Sequence, residues 1–211
     1  MINKLPAGFG YLQDPRIIVY LAYHTHDNFL GRPVAGYKQP VCIATDRLLA
    51  GISRVQDDLD ALGQGLVLKV FDAYRPQTAV NDFEKWSYDA NDTKNKAKYY
   101  PNLTKRDLFA QGLLLVRSVH SRGSAVDLTI VKKDPHNSAK HVELDMGTIF
   151  DFFGDETQTD YPGISSTARS NRQLLRSAME KHGFKNYAKE WWHYNVVQEQ
   201  FPDTYFDFAI E

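Results

Sequence analysis

Three short clusters hold the side chains best suited to metal-binding and acid–base chemistry: Asp72-Ala73-Tyr74-Arg75-Pro76, Ser118-Val119-His120-Ser121-Arg122-Gly123-Ser124-Ala125-Val126-Asp127, and Glu190-Trp191-Trp192-His193. Each sets a charged or metal-competent group at the end of an apolar run. Asp127 lies among Val126, Leu128 and Ile130, where an unpaired carboxylate is costly and a cation should neutralise it. Glu190 and His193 are flanked by two tryptophans and a tyrosine, an apolar setting that raises the pKa of a free carboxylate by desolvation. His120, Asp127 and His193 together supply two imidazoles and one carboxylate. That is the ligand count of a catalytic zinc whose fourth position stays open for water.

Each residue also has a plainer reading. A buried histidine is commonly a hydrogen-bonded core residue, and Asp127 could pair with Arg117 or Arg122. Arg75 could simply neutralise Asp72, Tyr23 could be core packing, and Ser118 could satisfy a backbone group. Glu190 precedes His193 by three residues, which puts both on one side only if that stretch is a helical turn. No His-Glu-x-x-His helix motif is present to settle the matter.

The elements that must position these residues follow from periodicity. Thr45 or Asp46 caps a helix whose Leu48, Leu49, Ile52, Val55, Leu59 and Leu62 line one face up to Gly63. Leu66–Phe71 reads as a buried strand. Pro76 suits the first turn of a helix from Gln77 to about Ser87, because its missing N–H is not needed there. Ser87 to Thr104 is polar and reads as a long surface loop. Thr104 caps a short helix ending at Gly112, followed by a strand over Leu113–Val119. Ser121-Arg122-Gly123 turns into a strand over Ser124–Val131, with Gly123 free to take a positive φ. A last helix spans Ala168–His182 and stops at Gly183, and Trp191–Val197 closes the chain as a strand. Such mixing without regular alternation predicts a single α+β domain over residues 1–211. Its largely antiparallel central sheet is flanked by helices, with the metal site at strand ends.

Composition sets the outer bounds. The 211 residues are 43% hydrophobic, enough for a proper core in one domain. Twenty-five basic against twenty-six acidic residues leave no surplus to neutralise a phosphate backbone, so nucleic acid is not an expected partner. The lone cysteine, Cys42, rules out an internal disulfide and reads as a small core residue. Met1-Ile2-Asn3-Lys4-Leu5-Pro6 lacks the apolar run of a signal peptide, and no stretch approaches the roughly 20 apolar residues of a membrane span. A cytoplasmic protein is the expectation, or a periplasmic one if a leader was removed. Oligomeric state is not legible.

The motifs taken in order resemble the D-alanyl-D-alanine dipeptidase family, zinc enzymes associated with glycopeptide resistance and with D-Ala-D-Ala turnover in bacteria. Ser118-x-His120-x-x-Gly123-x-Ala125-x-Asp127 and Glu190-x-Trp192-His193 match its two zinc motifs. The similarity runs from Tyr23-x-Thr25-x-Asp27-Asn28-Phe29 through Tyr74-Arg75-Pro76 and Met146-Gly147-x-x-Phe150-Asp151 to Tyr205-Phe206-Asp207-Phe208.

The resemblance implies one zinc per chain on His120, Asp127 and His193, and hydrolysis of D-Ala-D-Ala by metal-activated water with Glu190 as general base. It further implies Arg75 as the oxyanion's partner, Asp151 with Tyr23 as receivers of the substrate ammonium, and Ser118 near the substrate carboxylate. A D,D-carboxypeptidase or endopeptidase of the same zinc group would share the metal set. A zinc module without catalysis would have no use for Glu190 and Arg75. One departure from the family pattern is the pair His24 and His26. Strand alternation would put both on one face, either as a second weak metal site or as two exposed histidines.

Overall fold

The computed structural model describes residues 4–134 and 137–211; Met1–Asn3, part of the stretch read above for a leader, lie outside the described residues. The chain opens with strands Phe9–Tyr11 (β1) and Ile18–Val19 (β2), a 3-10 turn over Ala22–His24, and strand Ile43–Thr45 (β3). Helix Asp46–Ala61 (α1) follows, then strand Leu66–Asp72 (β4) and helices Gln77–Ser87 (α2), Lys96–Tyr99 (α3) and Lys105–Ala110 (α4). A second 3-10 turn, Val119–Arg122, leads into strands Ala125–Asp134 (β5) and Asn137–Glu143 (β6). Helix Ser166–Lys181 (α5) and strands Phe184–Asn186 (β7) and His193–Val196 (β8) complete the chain.

The main sheet has the order β2-β4-β5-β8-β7, with β6 also paired to β5, and only β2 and β4 run parallel. It is therefore the largely antiparallel α+β sheet that the pattern predicts. β4 lines one edge of β5, while β8 and β6 take opposite ends of the other edge. α1 buries Leu48, Ile52, Val55 and Leu59 against β4 and α5, and α5 contributes Leu175 and Met179. Burying each of these side chains is worth about 1.5–3 kcal/mol, which is what holds the helix to the sheet. Most of the buried apolar side chains form one continuous cluster from Phe9 to Ile210, as one domain requires. Cys42 sits within it, and burial pushes its thiol up to about 12. No helix among the described residues is long and apolar enough to cross a membrane.

Three expectations are corrected. Leu113–Val119 is not a strand: the Leu113 and Leu114 amides donate to the Leu108 carbonyl at 2.8 and 2.9 Å, closing the end of α4, and so cannot join a ladder. Leu115 and Val116 are left exposed. The polar stretch after Ser87 is not all surface loop, since it contains α3 and buries Tyr99 and Tyr100. The last strand begins at His193 and not Trp191, because the Trp191 amide donates across to the Thr157 carbonyl at 3.0 Å.

Candidate active site

Strand register brings distant residues together. Asp127 on β5 pairs with Asp72 on β4 and with His193 on β8, so the three stand in one row across the sheet. Directly opposed residues share a face, and alternation sends Val126, Leu128 and Ile130 to the other one. His120 joins the row from the 3-10 turn. Ser118 caps that turn, its Oγ accepting from the His120 amide at 3.2 Å, and Gly123 ends it at φ 67°. A side chain at Gly123 would collide with the Phe9 ring at 2.3 Å, so the turn can carry only glycine there.

The Glu190 spacing is settled by a tight turn: the His193 amide donates to the Glu190 carbonyl at 3.2 Å, and the Glu190 carboxylate lies 3.7 Å from His193 Nδ1. His120 Nε2 stands 3.2 Å from His193 Nδ1 and 3.3 Å from Asp127 Oδ2, and His193 Nδ1 is 3.0 Å from Asp127 Oδ1. Donor atoms bound tetrahedrally at about 2.0–2.1 Å from a zinc ion are separated by about 3.3 Å. The spacing and the donor types therefore fit that ion. The outer nitrogens are also committed. His120 Nδ1 lies 2.6 Å from the Ala73 carbonyl, which can only accept, leaving the Nε2 lone pair for a metal; His193 Nε2 lies 3.0 Å from Asn195 Oδ1, leaving Nδ1.

Electrostatics separate the residues further. Burial alone would raise Asp127, yet the two imidazoles overcome it and hold the carboxylate well below its usual range. Burial opposes charge on His193, and Asp127 outweighs it, so that ring is raised. At Glu190 burial outweighs the nearby His193 ring and pushes the carboxyl up to about 7. Arg75 Nε donates to Asp72 at 2.8 Å and its Nη2 to Asp127 at 3.3 Å, while the guanidinium lies over the Tyr23 ring. Arg75 thus makes the salt bridge of its plainer reading and also lines the cleft. Ser118 likewise satisfies a backbone group and lines the cleft. Asp127 pairs with neither Arg117 nor Arg122: Arg122 is taken up by Glu199 and Arg117 lies over the Tyr205 ring.

Asp151 lines the cleft, a cavity of about 370 Å³. It is the one non-glycine among the described residues with a left-handed φ, 60°, a conformation costing about 1–2 kcal/mol. Rings pinned on either side hold it there, Phe150 stacked on Phe71 and Phe153 edge-on to Phe29. Its Oδ1 accepts from Tyr23 Oη at 3.1 Å, its Oδ2 has no partner, and burial raises the carboxyl well above its usual range.

Every site residue expected from the sequence lines this cleft. Sequence reasoning missed the positioning residues Tyr37, whose Oη donates to Asp72 at 2.7 Å, and Asn195. Tyr37 left its signal in the Gly36-Tyr37 step shared with the family, and Asn195 in its i, i+2 spacing from His193. His24 and His26 are not on a strand. His24 is half-buried in a 3-10 turn with Nδ1 3.2 Å from the Tyr37 carbonyl, and His26 is exposed. Among the described residues the metal-competent group is His120, Asp127 and His193 alone.

A structural metal knot has no use for a carboxyl raised toward neutrality, nor for a guanidinium and an unpartnered carboxylate facing the same cleft. With them, the α+β sheet presents the cleft of a metallohydrolase. Residues 13–211 match the peptidase M15 family, described as D-ala-D-ala dipeptidase, and the chain belongs to that family. It is 40% identical to a D-alanyl-D-alanine dipeptidase of Enterococcus faecalis, over 89% of this chain and 90% of the relative. The corresponding values are 41%, 89% and 90% for the D-alanyl-D-alanine dipeptidase of Streptomyces coelicolor. They are 31%, 87% and 81% for that of Escherichia coli.

Proposed function

We propose that this protein is a zinc-dependent dipeptidase that hydrolyses D-Ala-D-Ala to two molecules of D-alanine. The observation that carries it is the convergence of His120 Nε2, an Asp127 oxygen and His193 Nδ1, with the Glu190 carboxylate 3.7 Å from the last of them. His120, Asp127 and His193 would hold zinc, which when bound supplies Lewis-acid chemistry, polarising a carbonyl and acidifying water. Glu190 takes the proton of the attacking water and passes it to the departing amine, a task suited to a carboxyl whose pKa burial has lifted toward neutrality. Arg75 faces the oxygen on which charge develops, its guanidinium fixed in advance by Asp72. The unpartnered Asp151 Oδ2 and the Tyr23 hydroxyl receive the substrate ammonium, and Ser118 sits at the carboxylate end. An acylated substrate lacks that ammonium, so Asp151 favours the free dipeptide over a carboxypeptidase substrate.

The test is a zinc-loaded assay with D-Ala-D-Ala, its L,L isomer and N-acetyl-D-Ala-D-Ala, reading released alanine. Only the first should be cleaved; efficient cleavage of the acetylated compound would sink the dipeptidase reading. His120→Ala, Asp127→Ala and His193→Ala should each lose stoichiometric zinc, whereas Glu190→Ala should keep zinc and lose nearly all turnover.

A further inference from the structure

Two cavities meet at one wall. The cleft of about 370 Å³ and a neighbouring cavity of about 340 Å³ share two lining residues, Leu113 and Phe153. Phe153 is buried, its amide donates to the Tyr99 carbonyl at 2.7 Å, and its ring packs edge-on against Phe29. Leu113 is half-buried, and its amide donates to the Leu108 carbonyl at 2.8 Å. Phe153 follows Asp151 by two residues and both line the cleft, which puts one residue of the wall close in the chain to the group assigned to the substrate ammonium. The neighbouring cavity has a mixed lining, with Asp155, Glu156 and Lys189 beside Leu103 and Tyr161.

We infer that Leu113 and Phe153, the two residues that line both cavities, limit the substrate to two residues, and that the neighbouring cavity is a latent subsite for a third residue on the amino side of D-Ala-D-Ala. The inference rests on the dipeptidase reading. An N-extended substrate keeps one amide N–H that can donate to Asp151 Oδ2, so loss of the ammonium weakens its binding there without abolishing it. Its added residue needs space, and the residues common to the cleft and the outer cavity are two apolar ones, Leu113 and Phe153. The free ammonium of a tripeptide would then reach Asp155 and Glu156, carboxylates that line the outer cavity.

The experiment compares zinc-loaded wild type with Phe153→Ala and Leu113→Ala on D-Ala-D-Ala and on L-Ala-D-Ala-D-Ala, reading D-alanine release. The ratio of kcat/KM for tripeptide over dipeptide should rise at least about tenfold in each variant, the scale on which loss of a few packed carbons relaxes a hydrophobic pocket. Leu113 is only half-buried, so its variant keeps the test available should Phe153→Ala lose its fold through the Phe29 contact. A ratio unchanged from wild type in a folded, zinc-bound variant overturns the inference. Failure of the wild type to cleave D-Ala-D-Ala at all would instead overturn the dipeptidase reading on which it stands.

Discussion

Two arginines withdrawn from solvent show how differently one molecule treats the same group. Arg172, on α5, is fully buried, and burial pulls its pKa down to about 10. Its Nε, Nη1 and Nη2 donate to the carbonyls of Met146, Gln158 and Glu156 at 2.7, 2.6 and 2.8 Å. Arg75 is nearly as enclosed, with 11% of its side chain exposed, yet its partners are the carboxylates of Asp72 and Asp127. Around Arg172 each nitrogen has a carbonyl partner. Around Arg75 lie a carboxyl raised to about 7 and a buried oxygen with no partner. A satisfied buried charge fastens the chain to itself, and an unsatisfied group in a cleft marks where a ligand is to complete the bonding. The two are coupled in space, because the loop that Arg172 ties to α5, Met146 to Gln158, carries Asp151.

Replacing Arg172 by Met should test the first half of that contrast most severely. The Met146 and Glu156 carbonyls would lose the donor that Arg172 gives them, while the Gln158 carbonyl would keep the Tyr161 amide, and a stability loss on the order of 4 kcal/mol is expected from unpaired buried groups. Urea unfolding measures it, and a loss below about 1 kcal/mol would mean that the clamp is not structural.

Arg75→Ala should reverse the pattern. Its kcat should fall about 100-fold, or roughly 2.7 kcal/mol in the barrier, with KM moving far less, as for a donor that acts on developing charge. Steady-state kinetics with D-Ala-D-Ala decides this, and an unchanged kcat would reduce Arg75 to a partner for Asp72.

A third experiment turns on Glu190, whose carboxyl sits at about 7 in the folded protein against an ordinary 4.5. A raised folded value means that the native state binds the extra proton. Its contribution to stability is complete below about pH 4.5 and is lost as pH rises through about 7. Metal-free wild type should therefore lose about 2 kcal/mol more than Glu190→Gln between those two pH values, since glutamine does not titrate. Equal losses in paired urea titrations would refute the assignment of burial as the cause.

The smallest effect is expected at the surface. Arg16 bridges Asp14, Asp57 and Asp60 at 2.7–2.9 Å, and Asp14 is held below the usual carboxylate range by Arg16. Water screens this cluster, so Arg16→Ala should cost less than about 1 kcal/mol and leave activity intact. A larger loss in thermal unfolding would show that exposure does not separate the two kinds of ion pair here.

Much of this architecture is legible from residue order. α1 is fixed by the apolar stripe from Leu48 to Leu59 between Thr45 and Gly63, and α2 by Pro76, because periodicity and end chemistry are local properties. The motif around His120 and Asp127 and the segment Glu190 to His193 supply the candidate donors and base; residue type alone left each a plainer reading, and the family resemblance singled them out. The run Leu113–Val119 misleads for a local reason too: its apolar content suits a strand, while its amides are already used in closing α4.

What the sequence by itself determined is therefore the set of side chains and most of the elements that carry them. Tertiary structure alone decided which atoms meet. Asp72, Asp127 and His193 share one face only because β4, β5 and β8 pair in a particular register, and a slip of one residue would turn Asp127 to the opposite face. Glu190 reaches His193 because the chain turns tightly before β8, and Asp151 is left with a bare oxygen because Phe71 and Phe29 pin the rings beside it. Register, turn geometry and the packing of rings distant in sequence are long-range outcomes, set by contacts that no local window of residues contains.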